Sequence, residues 1–153
     1  MDQPELISRV RADLWSEHGF FLIRADEGEM GHPLPEFFDH PLPLCGVVAD
    51  AVFFLDYTGL QSVDCDVESW SGPPAEPDGY EEQAEVEVVL STPTFSLCGP
   101  FDEGVEGIAL ARAGKQHLRV HCTGRDEARR RYQADPTADL AGVEHWRIQI
   151  WPA

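Results

Sequence analysis

Along several stretches of this chain apolar and polar residues alternate one for one, and that period decides what the chain can build. Val63, Cys65 and Val67 are interleaved with Asp64, Asp66 and Glu68, and Val86, Val88 and Leu90 with Glu85, Glu87 and Val89. Leu118, Val120 and Cys122 alternate with His117, Arg119 and His121, and Trp146, Ile148 and Ile150 with Arg147, Gln149 and Trp151. Successive side chains of an extended backbone point to opposite faces, so each stretch reads as a strand with one face for a core and one for water. Near the start, Val10, Ala12 and Leu14 alternate with Arg9, Arg11 and Asp13; a Glu17-His18-Gly19 turn and the apolar Phe20–Ile23 follow. That pattern predicts a hairpin, with glycine free to take the positive φ of the turn. Leu6, Ile7, Val10 and Leu14 also fall at helical spacing, so a first helix is the rival reading.

The remaining segments fit the same architecture. Val47–Asp56 is a short apolar run suited to a buried strand, and Thr94–Cys98 and Ile108–Arg112 are short strand candidates before an Ala113-Gly114 turn. Residues 26–44 hold Gly28, Gly31, Pro33, Pro35, Pro41 and Pro43, which makes them an irregular connection or a lid. Ser71–Gly79 and Pro136–Gly142 are loops by composition, and Arg125–Tyr132 is a short helix or an extended basic loop. Seven to nine short strands separated by turn signals predict an all-β fold, an antiparallel two-sheet β-sandwich with at most one short helix. Its length of 153 residues suits a single domain over 1–153.

Charge narrows the classes of partner. Between Asp26 and Glu106 there are nineteen Asp and Glu residues and no Lys or Arg, and the net charge is −17. Such a field repels nucleic acid and anionic membranes and speeds encounter with basic proteins. Hydrophobic residues at 42%, with four Trp and eight Phe, imply a packed core rather than a disordered acidic tail. The acidity also has a plainer explanation, solubility or life in high salt. The four cysteines form no Cys-x-x-Cys pair, the Met1-Asp2-Gln3-Pro4-Glu5 start is no export signal, and no apolar run approaches membrane-spanning length. These features predict a cytoplasmic protein with buried, reduced thiols.

Two carboxylate rows are the leading site candidates. Asp64, Asp66 and Glu68 form one, and Glu85 and Glu87 the other, with Trp70 as an aromatic anchor for a basic protein partner. Were the two strands neighbours, the rows would lie roughly 5 Å apart and repel each other until a cation or basic partner relieved them. Carboxylates about 6–7 Å apart along a strand also echo the repeat of phosphates, which suits a decoy for a nucleic-acid-binding protein. Asp64-x-Asp66-x-Glu68 lacks the glycine and distal glutamate of a calcium loop. His117 and His121 sit about 13 Å apart along one strand, too far for one zinc ion, and Cys122 points to the other face. No nucleophile elbow, phosphate loop or dinucleotide fingerprint is present, so the reading is a non-enzyme without cofactor. The cluster Arg125, Arg129, Arg130 and Arg131 is expected to pair with the protein's own acidic surface or with a second copy of the chain.

The segment from Gly114 through His121, the closing stretch Glu144–Pro152, and the passage from Trp70 through the proline-rich loop to Tyr80-Glu81 together show a further pattern. Across about the last third of the chain this arrangement resembles small bacterial β-sandwich proteins of the competence-type nuclease inhibitor family. The resemblance implies an all-β fold, no cofactor, and an inhibitory or immunity role toward a nuclease; it carries over no binding residue. Two other readings stay open at this point, a housekeeping domain whose acidity serves solubility and a small ligand-binding sandwich closed by the 26–44 loop.

Overall fold

In the computed structural model, which describes residues 3–101 and 103–153, the period-two stretches are strands as expected. Met1, Asp2 and Asp102, counted above with the start of the chain and its acidic stretch, lie outside the described residues. The elements are β1 (Leu6–Glu17), β2 (Phe20–Ala25), β3 (Cys45–Val48), β4 (Ala51–Leu55), β5 (Leu60–Trp70), β6 (Glu82–Leu90), β7 (Thr94–Cys98), β8 (Gly104–Ala109), β9 (Gly114–Thr123), α1 (Arg125–Ala134) and β10 (His145–Pro152). The N-terminal ambiguity resolves to a hairpin, with His18 and Gly19 both at positive φ in its turn. The ambiguity after Gly124 resolves to a helix.

The protein is mostly β, but the strands do not divide into the two antiparallel sheets expected from the sequence. Their ladders join into one ten-stranded sheet in the order β3-β4-β2-β1-β5-β10-β9-β6, with β7 on β2 and β8 on β7. The sheet is also mixed, because β10 runs parallel to β5 while pairing antiparallel with β9. Beyond their shared turn β1 and β2 part; β1 goes to β5, while β2 takes β4 on one side and β7 on the other. The Ser8 hydroxyl donates to the Ala109 carbonyl and ties β8 back to β1. At the far end β6 comes round against β3 and β4, so the sheet curls into a nearly closed barrel. Between β3 and β6 runs an unzipped seam with Val47, Val48 and Val89 along it.

The apolar phases of the strands meet inside this barrel. Leu14, Phe21, Ile23, Val52, Phe54, Val63, Cys65, Val67, Leu118, Val120, Trp146 and Ile148 are among its buried residues. Trp146 stands edge-on to Phe21 and Phe54 at 5.1 and 5.9 Å between ring centres, an arrangement favoured by aromatic quadrupoles.

The Ile108–Arg112 candidate is a strand only at Ile108 and Ala109, the end of β8, because the chain bends at 111–113 toward β9. A second, smaller core explains the other strand misread. Val47–Asp56 was expected to be a single strand, but Asp50, at φ 58°, turns it into the β3–β4 hairpin. Ala51–Leu55 is apolar at every position because β4 is covered on both faces: Val52 and Phe54 point into the barrel, while Ala51, Phe53 and Leu55 face outward. The 26–44 segment closes over that outer face. Phe37, from a single 3-10 turn at Pro35–Phe38, packs there with Met30 and Leu42. Gly46 makes room for it, since a Cβ there would lie 2.6 Å from the Phe37 ring. The proline-rich segment is therefore a packed cover, its underside filled by side chains.

Candidate functional site

The polar phases of β1, β5, β10, β9 and β6 share the outer face of the barrel, and strand register sets which side chains meet. One row across the face reads Arg9, Glu68, Gln149, Arg119, Glu85; the next reads Arg11, Asp66, Arg147, His121, Gln83. The two carboxylate rows picked from the sequence are therefore not neighbours. β10 and β9 lie between them and bring arginines into the gap. Across the strands acid faces base, the arrangement that stabilises a sheet, rather than acid facing acid. These cations come from β1, β9 and β10, on either side of the acidic middle of the chain. The alternation of Arg9, Arg11, Arg119 and Arg147 with apolar residues was the signal for them; it was visible, but its partner strands were not.

Each candidate residue has a distinct place. Glu68 is 3% exposed and is spoken for by its own chain: it accepts from Arg147 Nη2 at 2.9 Å, Gln149 Nε2 at 3.0 Å and the Trp70 indole at 3.1 Å. Trp70, expected as a free anchor, is thus a half-buried donor to Glu68. Asp66 accepts from Arg9 Nη2 at 2.7 Å and lies 3.3 Å from Arg11 Nε. Partial burial works to raise the Asp66 carboxyl, but the bound Arg9 guanidinium, with Arg11 and Arg147, holds it below the usual range. Asp64 is half exposed and meets His145 Nδ1 at 2.9 Å. Glu85 and Glu87 also face solvent, Glu85 at 3.4 Å from Arg119 Nε and Glu87 at 2.9 Å from Lys115. Among the six, Asp64, Glu85 and Glu87 are the ones with about half of their side chains exposed, while Asp66, Glu68 and Trp70 are tied into the face.

The 71–80 loop folds back onto this face and seals its middle. Pro74 and Ala75 offer carbonyls to Arg119 and Gln149, and Tyr80 lies against the His121 ring. His121 is 2% exposed, and burial lowers its basicity against the opposing pull of Glu76 at 3.7 Å. Among the described residues no group of three or more His, Cys, Asp or Glu side chains is placed to hold a metal ion. The arginine cluster is likewise partnered within the chain, Arg125 in the interior and Arg130 and Arg131 on the exposed side of α1. Arg125 is buried on Glu82 at 2.6 Å, Arg129 lies over the Tyr57 ring at 4.6 Å, and Arg130 and Arg131 reach Glu127.

A buried carboxyl pair gave no sequence signal, because its members are far apart in the chain. Asp56 accepts from the Ser16 hydroxyl and from Thr58 N at 2.9 Å. Glu144 is fully buried and accepts from Gln61 Nε2 at 2.7 Å and Trp146 Nε1 at 2.8 Å. Burial, then the charge of Asp56, pushes Glu144 up to about 8, and burial raises Asp56 as well. The four thiols are free, and burial pushes Cys45 up to about 11 and Cys65 and Cys122 higher still.

Fold and face together define a class: an all-β protein built on one curled, mixed sheet whose polar face is laced by cross-strand ion pairs. Two solved structures share that fold from end to end. One is ComJ, an inhibitor of the DNA degrading activity of NucA from Bacillus subtilis, with a TM-score of 0.63 and 10% identity over 99% of this chain and 100% of that one. The other is the product of crocagin biosynthetic gene J, at a TM-score of 0.51 and 15% identity over 99% of each chain. The likeness spans the whole chain, wider than the last third singled out in the sequence, and at these identities it speaks for the fold. No family model matches the chain, and no curated protein matches it in sequence. Among the described residues no helix is long and apolar enough to cross a membrane.

Proposed function

We propose that this chain is a single-domain, cofactor-free, non-enzymatic binding protein of the cytoplasm that masks a basic protein partner, in the manner of a nuclease inhibitor or immunity protein. The observation that carries this reading is where its own cations go. Those of β1, β9, β10 and α1 are committed to carboxylates or aromatic rings of the same chain. What faces outward in surplus is carboxylate, on a molecule of net charge −17. Such a surface gives a basic partner a fast, salt-sensitive encounter. The likeness to ComJ, itself an inhibitor of a nuclease, supplies the kind of partner.

Asp64, Glu85 and Glu87 are the contact carboxylates in this reading, with Asp66, Glu68 and Trp70 behind them as framework. The test is a DNA-degradation assay with basic nucleases of the same host, at low and high salt. Inhibition should fade as salt screens the charges. Reversing Asp64, Glu85 and Glu87 to Lys should weaken it far more than reversing Glu29 and Asp39, which are exposed on the cover over β4. Equal effects of the two sets would remove the assigned site. Undiminished nuclease activity, together with no basic protein captured from lysate, would leave solubility as the explanation of the charge.

A further inference from the structure

One row of the outer face has no arginine of its own. It reads Asp13, Asp64, His145, Thr123, so two carboxylates stand directly opposite each other on β1 and β5. Like charges so placed are unfavourable. Asp64 has His145, but Asp13 is exposed and has no ion-pair partner among the described residues. Two positions along the same face of β1 stands Trp15, 51% exposed and without a ring partner among the described residues. Its indole opens onto a groove of about 380 Å³ lined by Leu60, Tyr132 and Leu140 and edged by Asp139. Gln61, whose Oε1 is buried with no hydrogen-bond donor, lines the same groove.

Elsewhere the fold shows what such a set of groups holds. Arg119 lies 4.9 Å from the centre of the Trp151 ring while its Nε stands 3.4 Å from Glu85. Arg125 and Arg129 are seated on Tyr57, at 5.0 and 4.6 Å. An indole beside carboxylates is this protein's own seat for a guanidinium, and cation–π and charge pairing both favour it. At Trp15, Asp13 and Asp64 the indole and the carboxylates are present and the chain supplies no arginine.

We propose that this groove is the docking point of the basic partner and that it takes an arginine side chain from it. The guanidinium lies between the Trp15 ring and the Asp13 and Asp64 carboxylates, and the aliphatic stem rests against Leu60. This deepens the binding-protein reading above and rests on it. A groove of apolar and aromatic groups with Asp139 at its edge, beside the Asp13 and Asp64 row, has the anatomy of an interface hot spot, where arginine is enriched.

The test uses the full chain and the tripeptide acetyl-Gly-Arg-Gly-amide, followed through the tryptophan indole resonances, with Trp15→Phe assigning the relevant one. The arginine peptide should move the Trp15 resonance saturably. The citrulline peptide, of the same shape but uncharged, should not, and the lysine peptide should bind more weakly. Asp13→Asn with Asp64→Asn should weaken the arginine peptide about fivefold, as expected for two exposed charge pairs. That variant removes a like-charge contact, so its unchanged melting would show the fold intact. Equal shifts from arginine and citrulline, or shifts confined to the Glu85 and Glu87 edge, would overturn the proposal. So would self-association that Trp15→Ala abolishes, because the occupant would then be a second copy. In the nuclease assay, a Trp15→Ala chain that inhibits as well as the native one overturns the groove and leaves the inhibitor reading standing. A native chain that seats the arginine peptide but inhibits nothing supports the groove and counts against that reading.

Discussion

Replacing Glu144 by Gln should make the protein more stable in mild alkali and less stable in acid. Glu144 is fully buried beside Asp56, and those two influences carry its carboxyl from the ordinary 4.5 to about 8. The folded chain therefore keeps a proton that the unfolded chain releases above about 4.5, so stability falls as pH rises from there to about 8. At ~1.4 kcal/mol per pH unit the full penalty is on the order of 5 kcal/mol, and the raised carboxyl of Asp56 acts in the same direction. Glutamine has no charge to bury and keeps a carbonyl for the Trp146 indole. It takes away the acceptor of Gln61 Nε2, but Gln61 Oε1 has no partner and can turn to accept from the new amide. Allowing about 1 kcal/mol for that rearrangement, the variant should gain about 3 kcal/mol at pH 8. For a chain of this size that is about 10 °C in melting temperature. At pH 4 the native carboxyl is protonated in both states, and the variant should be weaker by about 1 kcal/mol. Urea unfolding followed by tryptophan emission from pH 4 to 8.5 measures both curves. The surface charges are shared, so general repulsion cancels in the comparison. Native stability that stays level or rises from pH 5 to 8, or curves that never cross, would refute the reasoning.

Arg147→Leu should cost about 3 kcal/mol, because it takes the closest cation from a carboxylate that is 3% exposed, and adding Glu68→Gln should recover much of the loss in urea titrations. Gly46→Ala should cost about 1–3 kcal/mol in thermal melting, since its Cβ would enter the Phe37 ring and lift the cover from β4. Native protein at pH 7 should leave Cys65 and Cys122 untouched by a thiol reagent, with labelling only after denaturant, because both are buried and burial keeps both protonated.

What the sequence made legible was whatever depends on the phase of a strand. Val63, Cys65 and Val67 turn inward, and Asp64 and Asp66 outward, from alternation alone; the turn at His18-Gly19 and the helix after Gly124 also have local signals. Strand neighbours do not, because no local pattern states that β10 inserts between β5 and β9. From that single unknown followed the picture of two abutting acidic rows, where the molecule has arginines between them. The β3–β4 turn hid inside an apolar run because Asp50, rather than glycine, takes the positive φ, and because β4 is buried on both faces. Of the site, the outward placement of Asp64, Glu85 and Glu87 was readable; the capture of Glu68 by Arg147 and Gln149 was not, since it depends on a strand some eighty residues away coming to lie beside β5.

The position of β10 has a consequence for how the molecule comes into being. The last strand in the sequence is not added to an edge but inserted at the middle, between β5 and β9, and it brings Trp146 to the core and Arg147 to Glu68. While the chain emerges from the ribosome, β5 and β9 have no bridge, and the acidic central stretch has met only the arginines of β1 and β9. Assembly of the barrel therefore waits for translation to reach the last strand, and a message cut short before His145 yields a chain with a gap at its centre rather than a slightly shorter protein.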